Sequence, residues 1–146
     1  MVNAMDQQIK REKILSHYSN PKNKGLLDSD DYIKIDMKHS SCIDEINLMV
    51  KIVDDRVADI RFNGEACVIC TSATSIMIDI LIGKTLDEVK VILNNYKNMI
   101  NGMEYDETVL ADAIVYSDIN KQPNRKTCAL LPWFGIEKIV GEGNFE

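Results

Sequence analysis

Two stretches of alternating apolar and polar residues, separated by a very short connection, constrain the fold of this chain more than any other feature. They run over 46–53 and 57–62, and the connection between them is Asp54-Asp55-Arg56. Alternation with a period of two is typical of half-buried strands, and so short a connection favours a hairpin. The inward-facing residues are expected to be Ile46, Leu48, Val50 and Ile52 on the first strand and Ala58, Ile60 and Phe62 on the second.

A third stretch, Tyr32 to Met37, alternates in the same way and is joined to Ile46 by a short connection. The simplest arrangement is therefore a three-stranded antiparallel meander with one buried face. With the hairpin turn centred on Asp55, Ile46 is predicted to pair near Gly64.

This register predicts that distant residues meet at one edge of the sheet. Counting outward from the hairpin, Asp44 faces the region of Cys67, and Cys42 lies just beyond it. Cys67 is also expected at the start of a helix, where unpaired N–H groups and the helix dipole favour a thiolate. The sequence thus gathers Cys42, Asp44 and Cys67 around a nucleophilic or metal-binding corner.

The remaining segments are predicted to be mainly helical. An amphipathic N-terminal helix carries Met5, Ile9, Ile14, Leu15 and Tyr18, a nearly apolar and therefore buried helix spans 68–82, and a third spans 86–100 behind a capping box. Asp106 to Tyr116 is weakly helical, and 118–126 is predicted to be a loop. Because Pro132 lacks an N–H, regular helix is expected to begin close to Leu131 or to be kinked there, with Cys128 at or just outside the helix start. The fold class is α+β, a three-stranded antiparallel sheet covered by helices.

Composition restricts the function. The 146 residues predict a single domain, 1–146, with flexible ends at 1–6 and 141–146. A net charge of −6 argues against nucleic acid or an anionic membrane as a partner, and no apolar run is long enough to span a bilayer. Without a secretory signal, we expect a cytoplasmic protein whose four cysteines are reduced thiols or metal ligands.

Cys42, Cys67 and Cys128, together with Asp44, fit a tetrahedral zinc site of three sulfurs and one oxygen. Cys70 lies one turn inside the helix that follows Cys67, so its simplest interpretation is a small core residue. Two alternatives remain at this point. One is a dithiol redox protein using Cys67 and Cys70, and the other is a metal-stabilised interaction domain without chemistry of its own.

Several motifs together resemble one protein family. They are His17-Tyr18-Ser19-Asn20-Pro21-Lys22-Asn23-Lys24-Gly25, Cys42-Ile43-Asp44, Gly64-Glu65-Ala66-Cys67, Ser72-Ala73-Thr74-Ser75-Ile76-Met77 and Arg125-Lys126-Thr127-Cys128-Ala129-Leu130-Leu131-Pro132-Trp133. As an ordered set they resemble the iron–sulfur cluster assembly proteins that include IscU and the N-terminal domain of NifU. The long segment between Gly102 and Cys128, and Thr127 in place of a histidine, are closest to the SufU branch.

The resemblance implies a function. SufU-like proteins bind zinc through three cysteines and an aspartate, accept persulfide sulfur from a pyridoxal-phosphate cysteine desulfurase (SufS-like), and pass it towards downstream cluster assembly proteins. Carried over by position, the ligands are Cys42, Asp44, Cys67 and Cys128, Cys42 is the sulfur acceptor, and Arg125 steers the anionic persulfide. The expected activity is that of a zinc-dependent sulfurtransferase. IscU-type relatives instead assemble a [2Fe–2S] cluster on comparable ligands.

Two positions depart from the family pattern, since Ile43 and Ala66 stand where the family usually has glycine. Glycine tolerates positive φ, which a β-branched residue rarely adopts. A further alternative is therefore a zinc-stabilised interaction domain that has lost sulfur transfer.

Overall fold

The computed structural model describes residues 6–38 and 44–142, with the backbone alone at 141 and 142. Its main elements are α1 (Gln7–Ser19), β1 (Ile33–Lys38), β2 (Glu45–Val53), β3 (Arg56–Glu65), α2 (Val68–Leu81), α3 (Leu86–Ile100) and α4 (Pro123–Glu137). Three short 3-10 turns (Glu107–Val109, Ala111–Tyr116 and Ile119–Lys121) join α3 to α4, and a π-helical turn, Lys138–Glu142, follows α4. The predicted α+β fold is confirmed, with an antiparallel sheet in the order β1-β2-β3. Within the described ranges, no helix is long and apolar enough to cross a membrane.

The hairpin between β2 and β3 closes through Asp54 and Asp55, which have φ values of 52° and 65°. Positive φ at both central residues is the conformation of a two-residue type I′ turn, whose twist matches that of the strands. The turn centre is therefore half a residue earlier than the sequence predicted. A bulge in which Ala58 is the extra residue compensates, and Ile46 pairs with Gly64 as expected.

The same bulge makes one prediction wrong. Ala58 was expected on the buried face, but it is exposed and Val57 is buried instead. One extra residue reverses the alternation between its two sides. Beyond the bulge the predicted phase returns, because Ile60 and Phe62 both face the core.

The buried helix α2 is the centre of the molecule and packs against α1, α4 and β3. Most of its residues are buried, including polar ones whose hydroxyl groups are all hydrogen-bonded. The Thr74 hydroxyl donates to the carbonyl oxygen of Cys70 at 2.8 Å, and the Ser72 hydroxyl is hydrogen-bonded to that of Tyr116. Satisfied polar groups of this kind remove the cost of burying a helix on all sides.

The N-terminal helix does not bury the face that the sequence predicted. Ile9, Leu15 and Tyr18 are exposed, whereas Lys10 is buried. The Lys10 ammonium lies 3.0 Å from the Asp118 carboxylate and 2.8 Å from the Ser117 hydroxyl oxygen, and these partners offset the cost of burying it. Three apolar side chains of α1 are thereby left facing outward.

The segment after α1 is fastened to α2 through a serine hydroxyl. Ser75 Oγ accepts the backbone N–H of Lys22 at 2.8 Å and lies 2.7 Å from His17 Nδ1. Partial burial lowers the pKa of His17, although the nearby Asp79 carboxylate opposes this effect. His17 thus has a structural role at the junction of α1 and α2.

The lowered pKa of His17 predicts how stability depends on pH. The unfolded chain binds a proton near pH 6.5 and the folded chain only below it, so the free energy of unfolding should decrease as pH falls through this range. Urea titrations of the metal-free protein at about pH 5 and about pH 7.5 would measure this decrease. In His17→Gln the decrease should be smaller, and an equal decrease in both proteins would assign the effect to other groups.

Candidate metal centre

Asp44 and Cys67 meet where β2 begins and β3 ends, as the predicted register requires. Asp44 directly precedes β2, and its side chain is buried, with 2% exposed. Cys67 is separated from the end of β3 by one residue, Ala66. The Cys67 backbone N–H donates to Asp44 Oδ1 at 2.8 Å, and Cys67 Sγ lies 3.5 Å from Asp44 Oδ2. A buried carboxylate is costly unless it is paired, so this contact fixes its orientation.

Cys67 occupies the N-cap position of α2, with φ −69° and ψ 174°. Its sulfur accepts the backbone N–H of Cys70 at 3.4 Å and so takes the place of an oxygen cap. The expected position of Cys67 at a helix start is therefore confirmed.

The third residue of the site reaches it from a position that the sequence did not predict. α4 begins at Pro123, well before Leu131, so Cys128 lies in the second turn of the helix and part of the predicted loop, 118–126, is helical. A proline at the first helical position needs no N–H partner, which makes Pro123 a helix start. Pro132 lies inside the helix, where it has no N–H to donate to the carbonyl of Cys128.

The ligand atoms of Asp44, Cys67 and Cys128 all lie within 4.8 Å of one another. The corners of a tetrahedral zinc site with sulfur ligands are about 3.8 Å apart, so a small contraction would fit these atoms around one ion. Burial, followed by the Cys67 and Asp44 side chains, raises the pKa of Cys128 to about 12, so a metal must displace its proton. Cys42, the predicted fourth ligand and sulfur acceptor, lies outside the described residues, as does Ile43.

Arg125 is exposed and lies three residues before Cys128, almost one helical turn away. It lines a groove between α1 and the start of α2, together with Lys10, Arg11 and Val68. The two basic residues of α1 were missed in the sequence, because charges on an amphipathic helix are usually part of its solvated face. Asp118 lines the same groove and pairs with Lys10, so Arg11 and Arg125 are its two cations outside that pair.

Two further positions have clear structural roles. Cys70 is completely buried in the core, as expected for a small apolar residue. Ala66 stands where the family usually has glycine, and its φ angle is not positive. Alanine therefore causes no backbone strain before Cys67.

Comparison with known proteins places this geometry in a family. The NifU-like N terminal domain matches residues 9–129. The chain belongs to this family, and the resemblance of its motifs is confirmed. It is 36% identical over 141 residues to the zinc-dependent sulfurtransferase SufU of Bacillus subtilis, covering 96% of this chain and 95% of that protein. It is also 34% identical over 129 residues to the iron–sulfur cluster assembly scaffold protein IscU of Thermotoga maritima, covering 88% and 90%.

A solved structure agrees with the sequence comparison. A putative iron–sulfur cluster assembly scaffold protein for the SUF system from Fervidobacterium islandicum superposes with a TM-score of 0.77 at 32% identity. The match covers 91% of this chain and 97% of that protein. The fold that carries Asp44, Cys67 and Cys128 is therefore that of the family throughout.

Removing the carboxylate of Asp44 should weaken metal binding strongly. Asp44→Asn keeps an oxygen that can accept the Cys67 N–H but loses the negative charge, whereas Asp44→Ala loses both. We expect zinc affinity to fall about 10-fold or more in Asp44→Asn, and further in Asp44→Ala. Competition with a chromogenic chelator measures both affinities. Wild-type affinity in Asp44→Ala would remove Asp44 from the ligand set.

Proposed function

We propose that this protein is a zinc-dependent sulfur acceptor in iron–sulfur cluster assembly. The observation that carries the proposal is the grouping of Asp44, Cys67 and Cys128 at one corner of the sheet. Two soft thiolate donors with one carboxylate suit zinc better than magnesium or calcium, which prefer oxygen donors alone. The name of the Bacillus subtilis relative, a zinc-dependent sulfurtransferase, supports the same choice.

The three residues would hold zinc together with Cys42 as the fourth ligand. Zinc, when bound, keeps the cysteine sulfurs as thiolates at neutral pH. The chain contributes orientation, since Asp44 is held by the N–H of Cys67, and the sulfur of Cys67 by the N–H of Cys70. Groups that orient ligands in this way tune metal affinity in known sites.

The proposed reaction is a displacement at sulfur. The Cys42 thiolate attacks the outer sulfur of a persulfide on a pyridoxal-phosphate cysteine desulfurase. The sulfur–sulfur bond of the partner breaks, its cysteine leaves as a thiolate, and Cys42 carries the new persulfide. Arg125, with Arg11 in the same groove, attracts the anionic donor towards the corner.

The sulfur would then pass to downstream cluster assembly proteins in the cytoplasm. Cluster assembly on the same ligands is the second candidate function, because the Thermotoga maritima relative is named a scaffold protein. Thr127, where IscU-type proteins have a histidine, favours sulfur transfer over cluster assembly. Anaerobic incubation with iron and sulfide, followed by visible absorption spectroscopy, tests for a cluster.

Mass spectrometry tests the proposed function. The zinc-loaded protein is incubated with a SufS-type desulfurase and cysteine, then digested with trypsin. Cleavage after lysine and arginine puts Cys42 in peptide 39–51, Cys67 and Cys70 in peptide 62–84, and Cys128 in peptide 127–138. We expect a gain of one sulfur atom, about 32 Da, on peptide 39–51 alone. A protein that binds zinc but gains no sulfur would be an interaction domain.

A further inference from the structure

Cys67 and Cys70 are spaced so that their sulfurs can reach each other across the first turn of α2. Cys67 is the N-cap residue and Cys70 the third helical residue, the two positions whose side chains meet in a capping box. The Cys70 N–H already lies 3.4 Å from Cys67 Sγ. Positions three apart on a helix have Cβ atoms about 5–6 Å apart, so a small shift of the helix start would permit a disulfide.

The two cysteines differ in their access to solvent. Cys67 is half-buried at the surface of the corner, whereas Cys70 is completely buried. A small oxidant therefore reaches Cys67 first, whereas Cys70 lies one helical turn further along α2, inside the core. A partly exposed thiol next to a fully buried one is the arrangement of a reactive and a resolving cysteine.

We propose that Cys70 is a resolving thiol, so that a hydroperoxide converts Cys67 and Cys70 into a disulfide that removes Cys67 from the metal centre. The proposal rests on the metal centre of the proposed function and not on sulfur transfer. Oxidation would thus switch the site off reversibly, and a reductant would restore it.

The chemistry balances with hydrogen peroxide as the oxidant. The Cys67 thiolate attacks one peroxide oxygen, the O–O bond breaks, and after proton uptake a sulfenic acid and one water are formed. The Cys70 thiol then attacks the sulfenic sulfur, the S–O bond breaks, and a second water leaves. Two thiols lose two electrons and two protons in total, and the peroxide is reduced to two waters.

Cys128 is the competing partner, since its sulfur also lies within 4.8 Å of Cys67. Once Cys67 is oxidised, Cys128 and the other candidate ligands can still hold the metal, which keeps the Cys128 sulfur engaged. Cys70 is outside that ligand set and moves with the same helix start as Cys67. The disulfide should therefore form between Cys67 and Cys70 even in the zinc-loaded protein.

The test is peroxide titration of the zinc-loaded protein, with released zinc measured by a chromogenic chelator and the products mapped after trypsin digestion. A Cys67–Cys70 disulfide appears as peptide 62–84 lacking two hydrogens, whereas a Cys67–Cys128 disulfide joins peptide 62–84 to peptide 127–138. We expect the first product, together with zinc release that a thiol reductant and added zinc reverse. The joined peptides, or unmodified Cys70 after zinc release, would overturn the proposal.

Cys70→Ala and Cys70→Ser provide the matched controls. Both should bind zinc like the wild type and change stability by about 1 kcal/mol, because Cys70 is a core residue and not a ligand. After peroxide, their Cys67 should proceed to the sulfinic acid, and most of the zinc binding should not return with reductant. Full recovery of zinc binding in both variants would show that Cys70 does not protect Cys67 from overoxidation. The wild-type peptide map decides the question even if one variant folds poorly.

Discussion

Replacing Gly64 by alanine is expected to disrupt both the fold and the candidate metal centre. Gly64 has φ +129°, and a Cβ atom there would overlap the carbonyl oxygen of Glu45 and lie 3.0 Å from its carbon. Both are backbone atoms of the neighbouring strand, so neither can rotate away. We expect a loss of about 3 kcal/mol or more in the free energy of unfolding. Because Glu45 follows Asp44 directly, zinc affinity should also fall.

Gly83→Ala is the matched control for this prediction. Gly83 also has a positive φ, +91°, but no atom lies within 4 Å of its added Cβ, and it follows the opposite end of α2. The free energy of unfolding of Gly83→Ala should decrease by only about 1 kcal/mol because of backbone strain, and the variant should bind zinc like the wild type. Urea unfolding and zinc competition on both variants separate strain from collision. Equal effects in the two variants would mean that the approach of β2 to Gly64 is unimportant.

The meeting of Asp44 and Cys67 could be predicted from the sequence because it depends on the hairpin register. Alternation and a short turn determine a hairpin register to within about one residue, and Asp44 was expected opposite the end of β3 on that basis. The turn lies at Asp54 and Asp55, half a residue earlier than predicted, and the bulge at Ala58 corrects the pairing before it reaches the site. The alternation of apolar and polar residues does not indicate the bulge, so Ala58 was predicted on the wrong face of the sheet.

Other features depend on contacts that are distant in sequence. The buried side of α1 is decided by Asp118, which draws Lys10 inward, and no local periodicity contains that information. The start of α4 was predicted from Pro132, although Pro123 is the proline that begins the helix. A proline predicts a helix start in one setting and an interruption in another, and the packing of α4 against α2 decides between them.

Replacing Cys42 by alanine is expected to abolish sulfur acceptance while retaining more zinc than Cys67→Ala or Cys128→Ala. Cys67 and Cys128 are held by α2 and α4, so their loss would remove candidate ligands that the helices hold in place. Cys42 belongs to the connection between β1 and β2. A ligand on a strand connection can leave the metal to attack a persulfide at lower cost than one fixed in a helix.

The three alanine variants, loaded with zinc and incubated with a desulfurase and cysteine, test this ranking. Zinc content and sulfur on peptide 39–51 are measured on the same samples. Ile43→Gly adds a second readout, because glycine at this position relaxes the backbone beside Cys42 and should accelerate transfer without changing zinc content. Persulfide on Cys67 or Cys128, with Cys42 unmodified, would assign acceptance to a helix-bound sulfur. The metal would then have to release a ligand that the fold holds rigidly, which is the costlier of the two arrangements.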